Sequence, residues 1–207
     1  MVTNPSLYIK AELIDLLLAN FQLDLLITEL PFLKCNRLAD LVAVYNNFTI
    51  GFEIKSEKDS LLHLNKQILD YMKVFNMVYI VIAEKFYKKE EIKKLHPSVG
   101  IIVISSAKGL SFKRKASCKK QLTKEALLSL LWKKDLISLT NNTKADNLES
   151  LKKAAIKKSQ QEIQKQVITA LRNRYFDSYQ MFMQDRESYT TVEDLRTITG
   201  LKKNPFL

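Results

Sequence analysis

Two cysteines, two histidines, four glycines and four prolines in 207 residues remove several chemistries from consideration. Cys35 and Cys118 stand far apart with no CxxC spacing, and His63 and His96 fall in no ligand pattern, which excludes a zinc site or a disulfide framework as the organising principle. Neither histidine lies in a motif for Ser/His or Cys/His nucleophilic catalysis. Scarce glycine and proline leave little room for long flexible linkers. No apolar run reaches the ~18 to 20 residues of a membrane span, and Glu12 and Asp15 interrupt the first apolar stretch, unlike a secretory signal. These absences predict a cytoplasmic protein with no membrane partner.

What is present is a 46% hydrophobic content, enough to build a core, and abundant Lys, Leu, Ile, Glu and Ala, which favour helix. Thirty-three Lys and Arg against 22 Asp and Glu give a formal charge of +11, which suits a polyanionic partner such as nucleic acid.

Along the chain, residues 7–21 read as an amphipathic helix with Leu13, Leu16, Leu17 and Phe21 on its apolar face. Residues 25–33 are apolar but interrupted by Glu29 and Pro31, and read as an irregular or short extended piece. Residues 38–45 and 48–55 are strand-like runs joined by Asn46-Asn47, a pair that tolerates the positive φ of a two-residue hairpin turn. Asp59 is placed to cap a helix running to about Phe75. Residues 77–83 and 100–105, rich in Val and Ile, read as buried strands flanking a Lys/Glu-rich connection.

The composition changes at Lys108. Lys108, Lys113, Arg114, Lys115, Lys119 and Lys120 occur with no acidic residue among them, a stretch suited to a phosphate backbone. Helical patterns follow: residues 122–139 as one helix, a polar linker at 138–147, residues 148–185 as one long helix or two, and a last short helix capped by Thr190 and Glu193. A second basic cluster, from Lys152 to Arg174, lies in this region. The division expected is therefore an α/β core over 1–107 and a basic, all-helical region over 108–207.

The hairpin carries the chemistry. With a two-residue turn, Tyr45 faces Phe48 and Asp40 falls opposite Glu53, on the face that Lys55 shares. Opposed residues have Cβ atoms about 4.5 to 5.5 Å apart, so two carboxylates and an ammonium converge at the open end of the hairpin. Facing carboxylates on a half-buried sheet need a cation. Lys55 could serve as a purely structural one; a divalent metal is the functional answer, and hard oxygens suit Mg²⁺ or Mn²⁺.

Asp40 followed by Glu53-Ile54-Lys55 resembles the PD-(D/E)XK nuclease superfamily, with Ala39 where the superfamily's name has a proline. The string from Arg37 to Leu61, then Gln67 and Tyr71 in a Gln-x-x-x-Tyr spacing, the strand VYIVIAE and the segment LLSLLW are similar to a narrower group of small bacterial and phage proteins within it. The resemblance covers about residues 8–135. It implies a restriction-endonuclease-like fold, with a mixed central sheet flanked by helices, and a metal-dependent nuclease acting on DNA in a bacterial cell. It further implies Asp40, Glu53 and the Ile54 backbone carbonyl as metal ligands, with Glu12 or Glu29 as a further one. Lys55 would orient or deprotonate the attacking water, and Gln67 and Tyr71 would contact DNA or brace the ligands. A catalytically silent nuclease fold that binds DNA or a protein partner is the alternative. Cutting both strands with one site per chain would require a homodimer or two successive events.

Overall fold

The computed structural model describes residues 4–143 and 147–201. Helix α1 (Pro5–Asn20) starts where Pro5 fits the first turn and the Asn4 side chain accepts the Ser6 N–H. Its buried side is Ile9, Lys10, Leu13, Ile14 and Leu17, so the apolar face is rotated from the Leu13, Leu16, Leu17, Phe21 stripe expected. Phe21 is exposed.

Six strands then form one mixed sheet in sequence order: β1 (Leu25–Phe32), β2 (Arg37–Tyr45), β3 (Phe48–Lys55), β4 (Met77–Ala83), β5 (Gly100–Ser105) and β6 (Gly109–Arg114). The β1–β2, β2–β3 and β5–β6 pairs are antiparallel, and β3–β4 and β4–β5 are parallel. Asn46 and Asn47, at φ 49° and 63°, make the tight turn between β2 and β3. The parallel crossovers are α2 (Leu64–Val74) and a short helical turn followed by α3 (Glu90–Lys93). The order and extents of β2 to β5 follow the sequence reading closely.

Five expectations are corrected. Residues 25–32 form a full strand, because β1 is an edge strand where Pro31 withholds no needed donor, and Glu29 takes up the irregularity at φ 52°. Asp59 does not cap α2: its carboxylate accepts both the Ser56 N–H and hydroxyl, and α2 begins only at Leu64. The region after Lys108 is not all helical, since β6 closes the sheet beyond residue 107, its Lys and Arg charges guarding the second edge. Residues 122–139 form two helices, α4 (Lys124–Leu128) and α5 (Lys133–Thr140). The break is held by the Ser129 hydroxyl, which donates to the Ala126 carbonyl and accepts the Leu33 N–H. Finally, Thr191 and Asp194, rather than Thr190 and Glu193, exchange capping bonds, around a single helical turn.

Two further helices, α6 (Leu148–Ala155) and α7 (Gln160–Asp185), follow, the second starting at a Ser159/Glu162 capping box. Of the polar linker expected at 138–147, residues 144–146 lie outside those described. Helix α7 packs on α4, α5 and β1. Beyond it, the Ile198 carbonyl accepts the Thr28 N–H at 2.9 Å and the Gly200 N–H reaches the Thr28 carbonyl at 2.6 Å, so the C-terminal segment lines the β1 edge.

Helix α2 crosses β3 where the strand has no side chain. A Cβ on Gly51 would stand 2.5 Å from the Phe75 ring and 2.9 Å from that of Tyr71. Gly51→Ala should therefore destabilise the fold by about 1 to 3 kcal/mol, the usual penalty for overpacking a core. A urea-unfolding midpoint equal to that of the wild type would contradict this packing.

Candidate active site

The β2–β3 ladder runs from Tyr45↔Phe48 to Leu41↔Phe52 and stops there. Continuing the alternation, the Ile54 N–H would bond to Ala39. It donates instead to Asp40 Oδ2 at 2.7 Å. Because an extended residue presents its N–H and C=O to the same neighbour, the Ile54 carbonyl is on the Asp40 side of β3.

The β1–β2 register extends the pattern. Pairing runs from Leu25↔Val44 to Thr28↔Leu41 and resumes at Leu30↔Ala39, leaving Glu29 opposite Asp40 but out of the ladder. Glu29, Asp40 and Glu53 thus occupy one row across three adjacent strands. Two cations answer them: Lys55 Nζ is 2.8 Å from Glu53 Oε1, and Lys10 pairs with Glu29. The Lys10 side chain is buried, an expensive place for an ammonium without a partner.

Tyr71, wholly buried on α2, closes the cluster. Its hydroxyl accepts the Asp40 N–H at 3.2 Å and lies 3.5 Å from the Leu38 carbonyl. Burial, then the negative charges of Glu53 and Asp40, push its pKa well above the ordinary phenol value, so it remains a hydrogen-bond donor. The adjacent Asp70 binds Arg37 at 2.8 Å, tying α2 to the start of β2.

Burial and the Glu53 charge raise the Asp40 pKa to about 7, against opposing contributions from the Ile54 N–H and Lys10. The cluster holds more negative charge than its lysines neutralise at Asp40.

The structure thus brings together Asp40, Glu53, Lys55, the Ile54 backbone, Tyr71 and Glu29. Gln67 lies one turn before Tyr71, half-buried, with no side-chain hydrogen bond among the described residues. Glu12 is exposed and lines a surface depression with Ile9, Glu57, Lys58 and Ser105, just past the Lys55 end of β3. Lys10 was not singled out from the sequence; the signal was its i, i+3/i+4 spacing from Leu13 and Ile14 on the buried face.

The basic stretch lies elsewhere. Lys108 and Lys113 are exposed on the β5–β6 turn and on β6, three strand spacings or about 14 Å across the sheet from β3. Arg114 is spent on the Val99 and His96 carbonyls. Lys115 is exposed just after β6. Exposed Lys119 and Lys120 return to the start of β4, since the Lys119 N–H donates to the Asn76 carbonyl, at the end of the sheet away from Lys55. In the second basic cluster, Arg174 is buried against Asp135 and Arg172 pairs with Asp24.

Among the described residues no three His, Cys, Asp or Glu side chains form a ready metal cage, Glu29 being turned to Lys10. Two facing carboxylates and a carbonyl nonetheless fit Mg²⁺, which keeps several waters and commonly takes one or two carboxylates beside a phosphate.

Fold and cluster together define an α/β protein with a carboxylate–lysine site at the open end of a hairpin. The chain belongs to the bacteriophage P4 protein cII family, whose profile matches residues 4–199. It is 32% identical over 191 residues to protein cII of Enterobacteria phage P4, across 86% of this chain and 70% of that one. A protein of unknown function from Silicibacter pomeroyi is a distant structural neighbour, with a TM-score of 0.44 and 13% identity over 62% of this chain and 85% of its own. Among the described residues no helix is long and apolar enough to cross a membrane.

The Asp40 environment makes a pH prediction. A carboxyl whose pKa rises from 3.8 unfolded to about 7 folded favours the fold fully below the lower value, and this contribution is lost as pH rises through the upper one. Each tenfold in proton affinity is worth about 1.4 kcal/mol, so the loss is on the order of a few kcal/mol. Urea midpoints measured between acid and neutral pH should fall in the wild type relative to Asp40→Asn; parallel profiles would show Asp40 to be ionised throughout.

Proposed function

We propose that this chain is a Mg²⁺- or Mn²⁺-dependent deoxyribonuclease of the PD-(D/E)XK type, with a restriction-endonuclease-like core. The observation that carries the reading is the convergence of Asp40, Glu53 and Lys55 where the β2–β3 ladder ends, with Asp40 short of a compensating cation.

Hydrolysis of a phosphodiester needs an oriented water, a Lewis acid at a non-bridging oxygen and relief of the charge that builds in the transition state. A metal held by Asp40, Glu53 and the Ile54 carbonyl would supply the Lewis acid. Lys55, beside Glu53, is positioned to hold the attacking water and to oppose phosphate charge. Tyr71 fixes the Asp40 backbone through its N–H, and its proton is available to the carboxylates rather than to solvent. Lys10 pairs with Glu29 and offsets part of the negative charge that Glu29 brings to the Asp40–Glu53 pair. The substrate polyanion is favoured by the +11 charge of the chain, and the reaction would take place in the cytoplasm of a bacterial host.

A second reading rests on a specific feature. Glu53 and Glu29 each already face a lysine, an arrangement that also serves a nuclease fold retained for DNA or protein binding without cleavage.

Cleavage separates the two. Linear, circular, nicked and single-stranded DNA should be cut in Mg²⁺ or Mn²⁺ and not in EDTA, with activity reduced by at least ~100-fold in Asp40→Ala and in Lys55→Ala, the scale expected for removing a catalytic group. Both variants should bind DNA. Binding without cutting by the wild type, in either metal, would establish the silent reading.

A further inference from the structure

A cavity of about 620 Å³ lies between the β1–β2 turn and the helical region, within the size range of small-ligand sites. Its walls include Leu30, Pro31, Leu131, Trp132 and Tyr175, apolar or aromatic in body. Four cations, Lys34, Lys133, Lys152 and Arg174, also line it, and no carboxylate does among the described residues. Arg174 is compensated: it binds Asp135 and the Leu130 carbonyl, and its guanidinium lies 4.5 Å from the Trp132 ring centre. The three lysines are in no ion pair among the described residues. A concave, partly apolar wall concentrates the field of such charges and attracts an anion.

The turn that carries Lys34 is itself unusual. Leu33, Lys34 and Cys35 are three consecutive non-glycine residues in the left-handed region, at φ 49°, 59° and 65°. Conformations of this kind persist where the surroundings over-determine them, and they gather at ligand clamps. Here the Leu33 N–H is held by the Ser129 hydroxyl at 3.0 Å, in the break between α4 and α5 that forms the opposite wall. Both sides of the cavity are thus fixed to one another.

We infer that this cavity binds a nucleotide, its base among the apolar and aromatic side chains and its phosphate on the three lysines. Three lysines in no ion pair, with Glu125 and Glu149 in the adjoining depression that Lys34 and Lys152 also border, suit a multiply charged phosphate better than a single carboxylate, and the half-buried Trp132 suits a heteroaromatic body better than a flexible chain. The nucleotide could be free or could be the terminal unit of a DNA strand. The inference does not rest on the nuclease reading, because the site is separate from the carboxylate row and uses no metal.

Trp132 is the single tryptophan of the chain, so its fluorescence reports on this cavity alone. The full-length protein, in EDTA, is titrated with dAMP, dATP, a short single-stranded oligonucleotide, inorganic phosphate and decanoate. A saturable change with a nucleotide or the oligonucleotide is expected, weakened about tenfold or more in Lys34→Glu and Lys133→Glu, a loss of about 1.4 kcal/mol per tenfold. Both lysines are exposed, and the variants should keep the wild-type Tm. A response to dAMP or dATP assigns a soluble nucleotide, and a response to the oligonucleotide alone assigns a strand end. Saturation by decanoate or phosphate only, no response to any nucleotide, or a response unchanged in both lysine variants would overturn the inference.

Discussion

The bond from the Ile54 N–H to the Asp40 carboxylate marks the place where the sheet gives up a ladder position to make a site. A regular hairpin would have satisfied that N–H with a backbone carbonyl and left Asp40 and Glu53 as an opposed pair with only repulsion between them. Substituting a carboxylate for the carbonyl keeps the donor satisfied and opens the hairpin at one end. It also anchors Asp40 while leaving its other oxygen uncommitted by this bond. The elevated Asp40 pKa follows from the same arrangement, since the carboxyl is held within a half-buried row beside Glu53 and Glu29.

The remainder of the molecule maintains that end of the sheet. Gly51 lets α2 approach β3 closely enough for the Tyr71 hydroxyl to reach the Asp40 backbone. On the other side of the row, the C-terminal segment runs along the β1 edge, and Gly200 lies so near Glu29 that a Cβ there would be 2.9 Å from the Glu29 carbonyl oxygen. The segment is secured further by Asp15, which accepts the Thr190 N–H and hydroxyl and pairs with Arg186 at 2.7 Å. The helical region and its C-terminal tail therefore hold the left-handed Glu29 in place as well as covering the core.

Much of this was legible in local sequence. Asn46-Asn47 set the hairpin register, and through it the juxtaposition of Asp40, Glu53 and Lys55. The Val/Ile runs of β4 and β5 announced buried strands, which the sheet pairs in parallel. What escaped depended on tertiary neighbours. Lys10 reads as a helix-surface charge until Glu29 is brought beside it, and Glu29 reads as a strand interruption until β1 pairs with β2. Strand β6 has three polar residues in GLSFKR and gains its identity from pairing with β5. The break between α4 and α5 is made by a serine whose partner, Leu33, lies 96 residues away.

Metal binding is the most direct test of the central claim, and calorimetric titration of Mn²⁺ into the full-length protein at neutral pH would measure it. One saturable site per chain, with proton release as Asp40 ionises and with loss of binding in Asp40→Asn and Glu53→Gln, is the result expected. No saturable binding, or binding unchanged in both variants, would show that the carboxylate row is a structural ion-pair cluster.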